Sequence, residues 1–333
     1  MYDNIKLSLG VSFENEAKRD EFCARFGLST KNEKLNIWHN AAEKNLKQHK
    51  GVYMHLKNNT LTLEFSLHKV YNYYVHKKSF NYNDFDFKEA NEAAARLVEL
   101  FNPYFDITQA VVKKYEVGIN VLTSESPDLY LRELKQVNVN AKILPIKEDI
   151  HYKEYKQFST QRDKDKRVIY IFYNKTFEAR SKKKEVERAN IPENVLRVEK
   201  DNKRPIEKIL FARLFDIDFQ KLTINEFKQR FCNDLEYKGT PIKPENMSNA
   251  DFETLCLIHE NGADGAREKY KRKFEAGNIS KQWHYKKMQA VERLQSVEYS
   301  ANIGRRAVEL NNLIVSKVEI LRKSPAIDCF VKQ

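Results

Sequence analysis

The chain has 333 residues, 41% of them hydrophobic, with only 9 Gly and 8 Pro. That is enough apolar material for one or two packed domains and too little glycine and proline for a collagenous or low-complexity chain. Its 59 Lys and Arg against 47 Asp and Glu leave a formal charge of +12, which favours a polyanionic partner over a neutral or membrane-inserted one. The longest apolar runs are too short to span a bilayer, and neither Gly-rich nucleotide fingerprint occurs. The opening "MYDNIKLSLGVSF" has no signal-peptide core. The four cysteines are scattered without a C-x-x-C pair, so reduced thiols in a cytoplasm are expected rather than disulfides or zinc.

In chain order, "NIKLSLGVSF" alternates as a strand does, and residues 14–28 carry a helical pattern. "GVYMHLKNNTLTLEFSLHK" reads as two strands around a Lys-Asn-Asn turn, because Asn tolerates the left-handed conformations of tight hairpins. "DFKEANEAAARLVELF" predicts an amphipathic helix capped by Asp86 and ended before Pro103. "AVVKKYEVGINVLT" is a strand, residues 123–166 read as polar and irregular apart from one helix, and "RVIYIFY" and "NVLRVEK" are further strands. From about residue 205 the texture turns helical, without a solenoid repeat. "NADFETLCLIHENG" and "GAREKYKRKFEAG" read as separate helices, and "REKYKRKF" and "SKQWHYKK" interleave bases with aromatics, a mixture suited to phosphate contact and base stacking. The organisation expected is an α+β domain over residues 1–205 and a helical domain over 206–333, with a possible role in DNA recognition.

Polar residues on strands are the candidate chemistry. In "TLEFSLHK" alternation puts Glu64, Ser66 and His68 on one face, and in "KYEVGIN" it puts Glu116, Gly118 and Asn120 together. A buried carboxylate needs a partner or a cation. Two carboxylates and an imidazole suit a hard or borderline divalent ion such as Mg2+ or Mn2+. The same pattern also fits side chains that face water on a half-exposed sheet. In "RVIYIFYNKTFE", Ile169, Ile171, Tyr173 and Lys175 share a face and Tyr170 points to the other. Tyr173 could act as a nucleophile assisted by the cation of Lys175. A strand-end tyrosine with a buried ring and a wet hydroxyl leaves the same signature.

Taken in order, these blocks resemble the gene II/gene X family of phage and plasmid replication initiators, which start rolling-circle replication. The resemblance covers most of residues 1–205 and rests on "YDNIKLSL", "SLHK" at 66–69, "NYNDFDF", "KYEVGIN" at 114–120, "IYIFYNKTFE" at 169–178 and "LRVEK" at 196–200. The segment "YYVHKKS" looks like an insertion between two of them, and the literal His-hydrophobic-His triplet of the related endonucleases is absent.

The resemblance implies an α+β fold, mostly antiparallel sheet with helices on one face, carrying a metal-dependent nickase. Its tyrosine would cut one DNA strand, leaving a 5′-phosphotyrosine and a free 3′-hydroxyl. The family's tyrosine falls on Tyr173 and its strand carboxylates on Glu64 and Glu116. Expected roles are therefore catalysis by Tyr173 and Lys175, and Mg2+ or Mn2+ binding by Glu64, Glu116 and His68. Ser66, Asn120, Glu178, Arg197 and Glu199 would support the site, and Lys69, Arg180, Lys182, Lys183 and Lys184 would meet DNA phosphates. The expected partners are single-stranded or extruded origin DNA with host helicase and polymerase, and no membrane. A non-catalytic DNA-binding protein on the same scaffold and a conjugative relaxase are the alternative functions.

Overall fold

The computed structural model describes residues 2–32, 37–39, 51–139, 142–149, 157–160, 168–181, 190–297 and 301–323. Its strands are β1 (Tyr2–Gly10), β2 (Ser29–Asn32), β3 (Ile37–His39), β4 (Tyr53–Lys57), β5 (Thr60–Ser66), β6 (Val111–Leu122), β7 (Leu134–Val139), β8 (Lys142–Asp149), β9 (Gln157–Thr160), β10 (Val168–Asn174), β11 (Val195–Asn202) and β12 (Leu235–Tyr237). They form one antiparallel sheet in the order β12-β7-β8-β9-β10-β11-β6-β1-β5-β4-β3-β2. A separate pair, β13 (Gly239–Pro241) and β14 (Ala301–Ile303), lies outside it. The helices are α1 (Glu16–Arg25), α2 (Leu67–His76), α3 (Phe87–Phe101), α4 (Pro127–Leu131), α5 (Lys175–Ser181), α6 (Ile217–Lys228), α7 (Asn249–Glu275), α8 (Lys281–Leu294) and α9 (Arg305–Lys323). None of them is long and apolar enough to cross a membrane. The fold is α+β with an antiparallel sheet and helices toward the C-terminus.

Local chemistry explains most of the elements. Asn58 and Asn59 adopt positive φ, 46° and 58°, between β4 and β5, which is the geometry a two-residue hairpin needs to match strand twist. Asp86 and Glu89 form a reciprocal capping box at the start of α3. One face of the sheet is apolar. Tyr2 and Ile5 of β1, Val117 and Ile119 of β6, Phe172 of β10 and Val198 of β11 are buried in the main core. Tyr2 meets Phe87, Tyr115 and Phe215 edge-on at 5.8–6.1 Å. Such pairs add to the roughly 1.5–3 kcal/mol that burying each large apolar side chain contributes.

The expected division at residue 205 does not divide this core. Phe211, Phe215, Phe227 and Phe231 lie in it with the sheet, as do Leu310, Ile314, Val318 and Leu321 of α9. β12 also extends the sheet itself. The part with its own small core is the α7–α8 hairpin, built on Ala266, Tyr270 and Val291. The α7 span is two helices, as expected on either side of residue 262, which meet at a kink where Gly262 has non-helical φ 71° and ψ 168°. The described residues of 123–166 hold three strands, β7, β8 and β9, where an irregular stretch was expected. Those strands lie toward one end of the sheet and keep polar, partly wet faces, so their hydrophobic alternation is faint.

Candidate active site

The polar face of the sheet carries a group of carboxylates from three strands. Oxygens of Asp3, Glu116 and Glu199 lie within 4.8 Å of one another. A bulge in β1 makes this possible. Tyr2 pairs with Val117 and Ile5 with Tyr115, so Asp3 and Asn4 together stand opposite Glu116. Two residues against one is a β-bulge, and it re-aims the extra side chain. Asp3 therefore leaves the apolar face, where strict alternation from Ile5 and Leu7 would put it. Asn4 Nδ2 donates to Glu116 Oε1 at 3.3 Å, and Lys114 Nζ to the same oxygen at 2.7 Å.

Arg197 binds this group together. Its guanidinium donates to Asp3 Oδ2 at 3.0 Å, to Glu199 Oε1 at 2.8 Å and to Asn120 Oδ1 at 3.2 Å, with 2% of the residue exposed. The side chain crosses the sheet over Gly118. A Cβ there would sit 2.7 Å from Nη2 and 2.9 Å from Cζ, so this glycine is required by close approach rather than by backbone conformation. Gly118→Ala is expected to cost about 1–3 kcal/mol, as overpacking of a fixed group does. Denaturant unfolding checks it, and an unchanged midpoint would show that Arg197 can move aside.

Tyr173 pairs across the sheet with Arg197. Its ring is buried and its hydroxyl donates to Glu199 Oε1 at 3.2 Å. Lys175 Nζ lies 5.6 Å from the centre of the Tyr173 ring and donates to Glu178 Oε2 at 2.8 Å. Asp3 is also held by the hydroxyl of Ser66, which caps α2, and by Asn81 Nδ2 at 3.2 Å.

Burial dominates the electrostatics. It pushes the Tyr173 phenol well above its ordinary range, and the Glu199 charge adds to this against the pull of Arg197. Burial, then the neighbouring Glu199 charge, pushes Glu116 up to about 8 although Lys114 opposes both. Burial also raises Asp3, but Arg197, His68, Ser66 and Lys175 outweigh it and hold that carboxyl well below the usual range. Lys175 is lowered by burial, with Glu178 pulling the other way.

Several expected positions change. Glu64 does not join the carboxylate group. It pairs with Lys6 at 3.4 Å on the wetter part of the same face, 38% exposed. His68 is not on a strand at all, because β5 ends at Ser66 and α2 begins at Leu67. It is fully buried, stacked on Phe85 and bonded through Nε2 to Asn83 Oδ1 at 2.7 Å, and burial pulls its imidazole down to about 3. Lys175 starts α5 instead of continuing β10, yet stays beside Tyr173. Tyr170 lies on the opposite, apolar face against Phe231, as expected. Arg180 is engaged with the Ile191 carbonyl and Glu193, both on the turn before β11. Lys69 is exposed in the first turn of α2. Lys182, Lys183 and Lys184 lie outside the described residues.

Arg197, Glu199, Asn120 and Ser66, expected only as support, touch the centre of the group directly. Asp3 is the member that the sequence reading missed. No protein family, curated protein or solved structure matches this chain in comparison.

Proposed function

We propose that this chain is a metal-dependent DNA nickase that initiates rolling-circle replication, with Tyr173 as its nucleophile. The observation that carries this reading is the Tyr173 hydroxyl bonded to Glu199, one of three carboxylates that converge on the polar face. Blocks of the resemblance supply this constellation. "YDNIKLSL" contributes Asp3, "KYEVGIN" contributes Glu116, "LRVEK" contributes Arg197 and Glu199, and "IYIFYNKTFE" contributes Tyr173 and Lys175.

The donor set fits a hard divalent ion. Three carboxylates meet two cations, Arg197 and Lys114. With its carboxyl raised to about 8, Glu116 keeps a proton at neutral pH that a cation can displace. Asp3, Glu116 and Glu199 would hold Mg2+ or Mn2+, which take oxygen donors readily. Bound there, the ion would act as a Lewis acid on the scissile phosphate.

The protein's own groups do the rest. Single-stranded or extruded origin DNA, drawn by the net positive charge, lies over the polar face. Glu199 accepts the phenol proton as the Tyr173 oxygen attacks phosphorus. The bond to the 3′-oxygen breaks, that oxygen takes a proton from solvent, and the 5′-phosphate remains on Tyr173. Arg197 and Lys175 offset the developing charge. The free 3′-hydroxyl then primes synthesis by host polymerase in the cytoplasm, with host helicase opening the duplex ahead of it.

The direct test incubates the protein with origin-containing single-stranded DNA and Mn2+ and runs a denaturing gel. A protein band carrying labelled DNA is expected, and excess EDTA should prevent it. No such band with any origin-containing substrate would favour the non-catalytic DNA-binding reading.

A pH dependence follows from Glu116. Its folded-state value of about 8 lies above the ordinary 4.5, so its contribution to stability is present below 4.5 and is lost as pH rises through 8. Mn2+ affinity should therefore rise from pH 6 to 8 with proton release and then flatten. Calorimetry in buffers of differing ionisation enthalpy reads this, and affinity independent of pH would count against Glu116 as a ligand.

A further inference from the structure

The segment between α2 and α3 contributes only Asn81 to the site described, yet it is tied to that site at several points. Asn72 of α2, fully buried, donates to the Phe80 carbonyl and to Asn83 Oδ1, both at 2.8 Å. Asn120 Nδ2 donates to the Asn83 carbonyl at 2.8 Å and to the Asn81 carbonyl at 3.4 Å. Asn81 in turn donates to Asp3. The backbone from 80 to 83 is thus fixed relative to the carboxylate group by buried amides. His76, Lys77 and Lys78 belong to the stretch "YYVHKKS" that interrupts the family-like blocks, and Tyr82 lies in the block "NYNDFDF" that follows it.

This fixed backbone carries rings in a file. His76 and Phe80 stack with centres 5.7 Å apart and planes at 27°, and Phe80 and Tyr82 stack at 4.8 Å and 23°. His76 is exposed, Phe80 and Tyr82 are half-buried, and Lys77 and Lys78 are exposed between them in the chain. Near-parallel rings with a wet side, next to lysines, suit the flat faces of unpaired bases. A duplex keeps those faces stacked on each other, so the fit is to single strands.

We propose that residues 76–82 are a stacking platform for single-stranded DNA beside the scissile phosphate, with Tyr82, the end ring of the file, contacting a base and Phe80 holding that ring in place. This rests on the reading of the carboxylate group as a strand-cutting site. The pre-formed backbone means that a strand bound on it is held in register with Tyr173 without the chain first having to order itself.

The test uses full-length Tyr173→Phe protein, so that DNA is bound and not cut, with a fluorescent oligo-dT and an abasic oligomer of equal length. Oligo-dT is expected to bind at least about tenfold more tightly, the scale of one stacked base. Phe80→Leu with Tyr82→Leu should erase that preference and leave the abasic affinity and the melting temperature unchanged. Phe80→Tyr with Tyr82→Phe should retain it. If the leucine variant does not fold, 2-aminopurine within the oligo-dT gives the same answer on the ring-bearing protein, where quenching on binding is expected. Equal affinity for the two oligomers, a preference that survives the leucine changes, or unquenched 2-aminopurine would overturn the platform. Because no cutting is needed, these readouts separate the two ideas. Nicking without base preference removes the platform alone, and base preference without a covalent adduct removes the nickase alone.

Discussion

Tyr173→Phe is expected to abolish nicking and the covalent protein–DNA adduct while leaving the fold and DNA binding in place. The physical reason is that the change removes one oxygen. The ring stays buried in its slot beside Lys175, and a hydrogen bond to a charged acceptor, worth about 1.5–3 kcal/mol, is lost from Glu199. Glu199 keeps its bond from Arg197, so its charge is not stranded. Phenylalanine has no oxygen to attack phosphorus, so residual cutting should fall to background. Tyr170→Phe makes the control, because its side chain packs on the apolar face against Phe231 and cannot reach the carboxylates. Cleavage assays on the two variants, with circular dichroism to check folding, give the comparison. Normal cutting by Tyr173→Phe would end the nucleophile assignment.

Arg197→Ala is expected to produce the largest loss of stability of any single change at the site, about 3–5 kcal/mol, the scale for removing one partner of a buried ion pair. Asp3 and Glu199 would then face each other in a site where both are nearly inaccessible. Arg197→Lys should recover only part of it, since a lysine cannot span three acceptors as the planar fork does. The sign of the pH dependence is fixed by Asp3. Its carboxyl is held below the usual value of 3.8, so its contribution is present above that pH and is lost as pH falls through the folded-state value. The deficit of the Ala variant should accordingly shrink in acid, where carboxylates take up protons in either protein. Urea unfolding at two pH values measures both effects, and a deficit below about 1 kcal/mol would mean that water replaces the guanidinium.

The strands that carry the site were legible because their alternation is strong. β6 places Glu116 and Asn120 on the face opposite Val117 and Ile119, β10 puts Tyr173 opposite Tyr170 and Phe172 although Ile169 and Ile171 share its face, and on β11 Arg197 and Glu199 alternate with Leu196 and Val198. Alternation fails where the chain departs from regular geometry. Asp3 was hidden by a bulge, which reverses the face of every residue before it. His68 was misplaced because alternation was carried past Ser66, where the chain had already turned into a helix. Glu64 does lie on the polar face, and only the sheet order, which puts β1 between β5 and β6, shows that its nearest partner is Lys6 rather than Glu116. The boundary at residue 205 followed a change from strand to helix texture. Helices from both sides of that boundary fill one core, so texture was a poor guide to the domain.

The central claim is that Tyr173 becomes linked to DNA at a site built from Asp3, Glu116 and Glu199. Peptide mapping of the trapped adduct by mass spectrometry tests it most directly. The account predicts a single modified tyrosine in the peptide that spans "IYIFYNK", with the added nucleotide mass on Tyr173. A modification on Tyr170, or on Tyr152 or Tyr155 in the preceding segment, would contradict it.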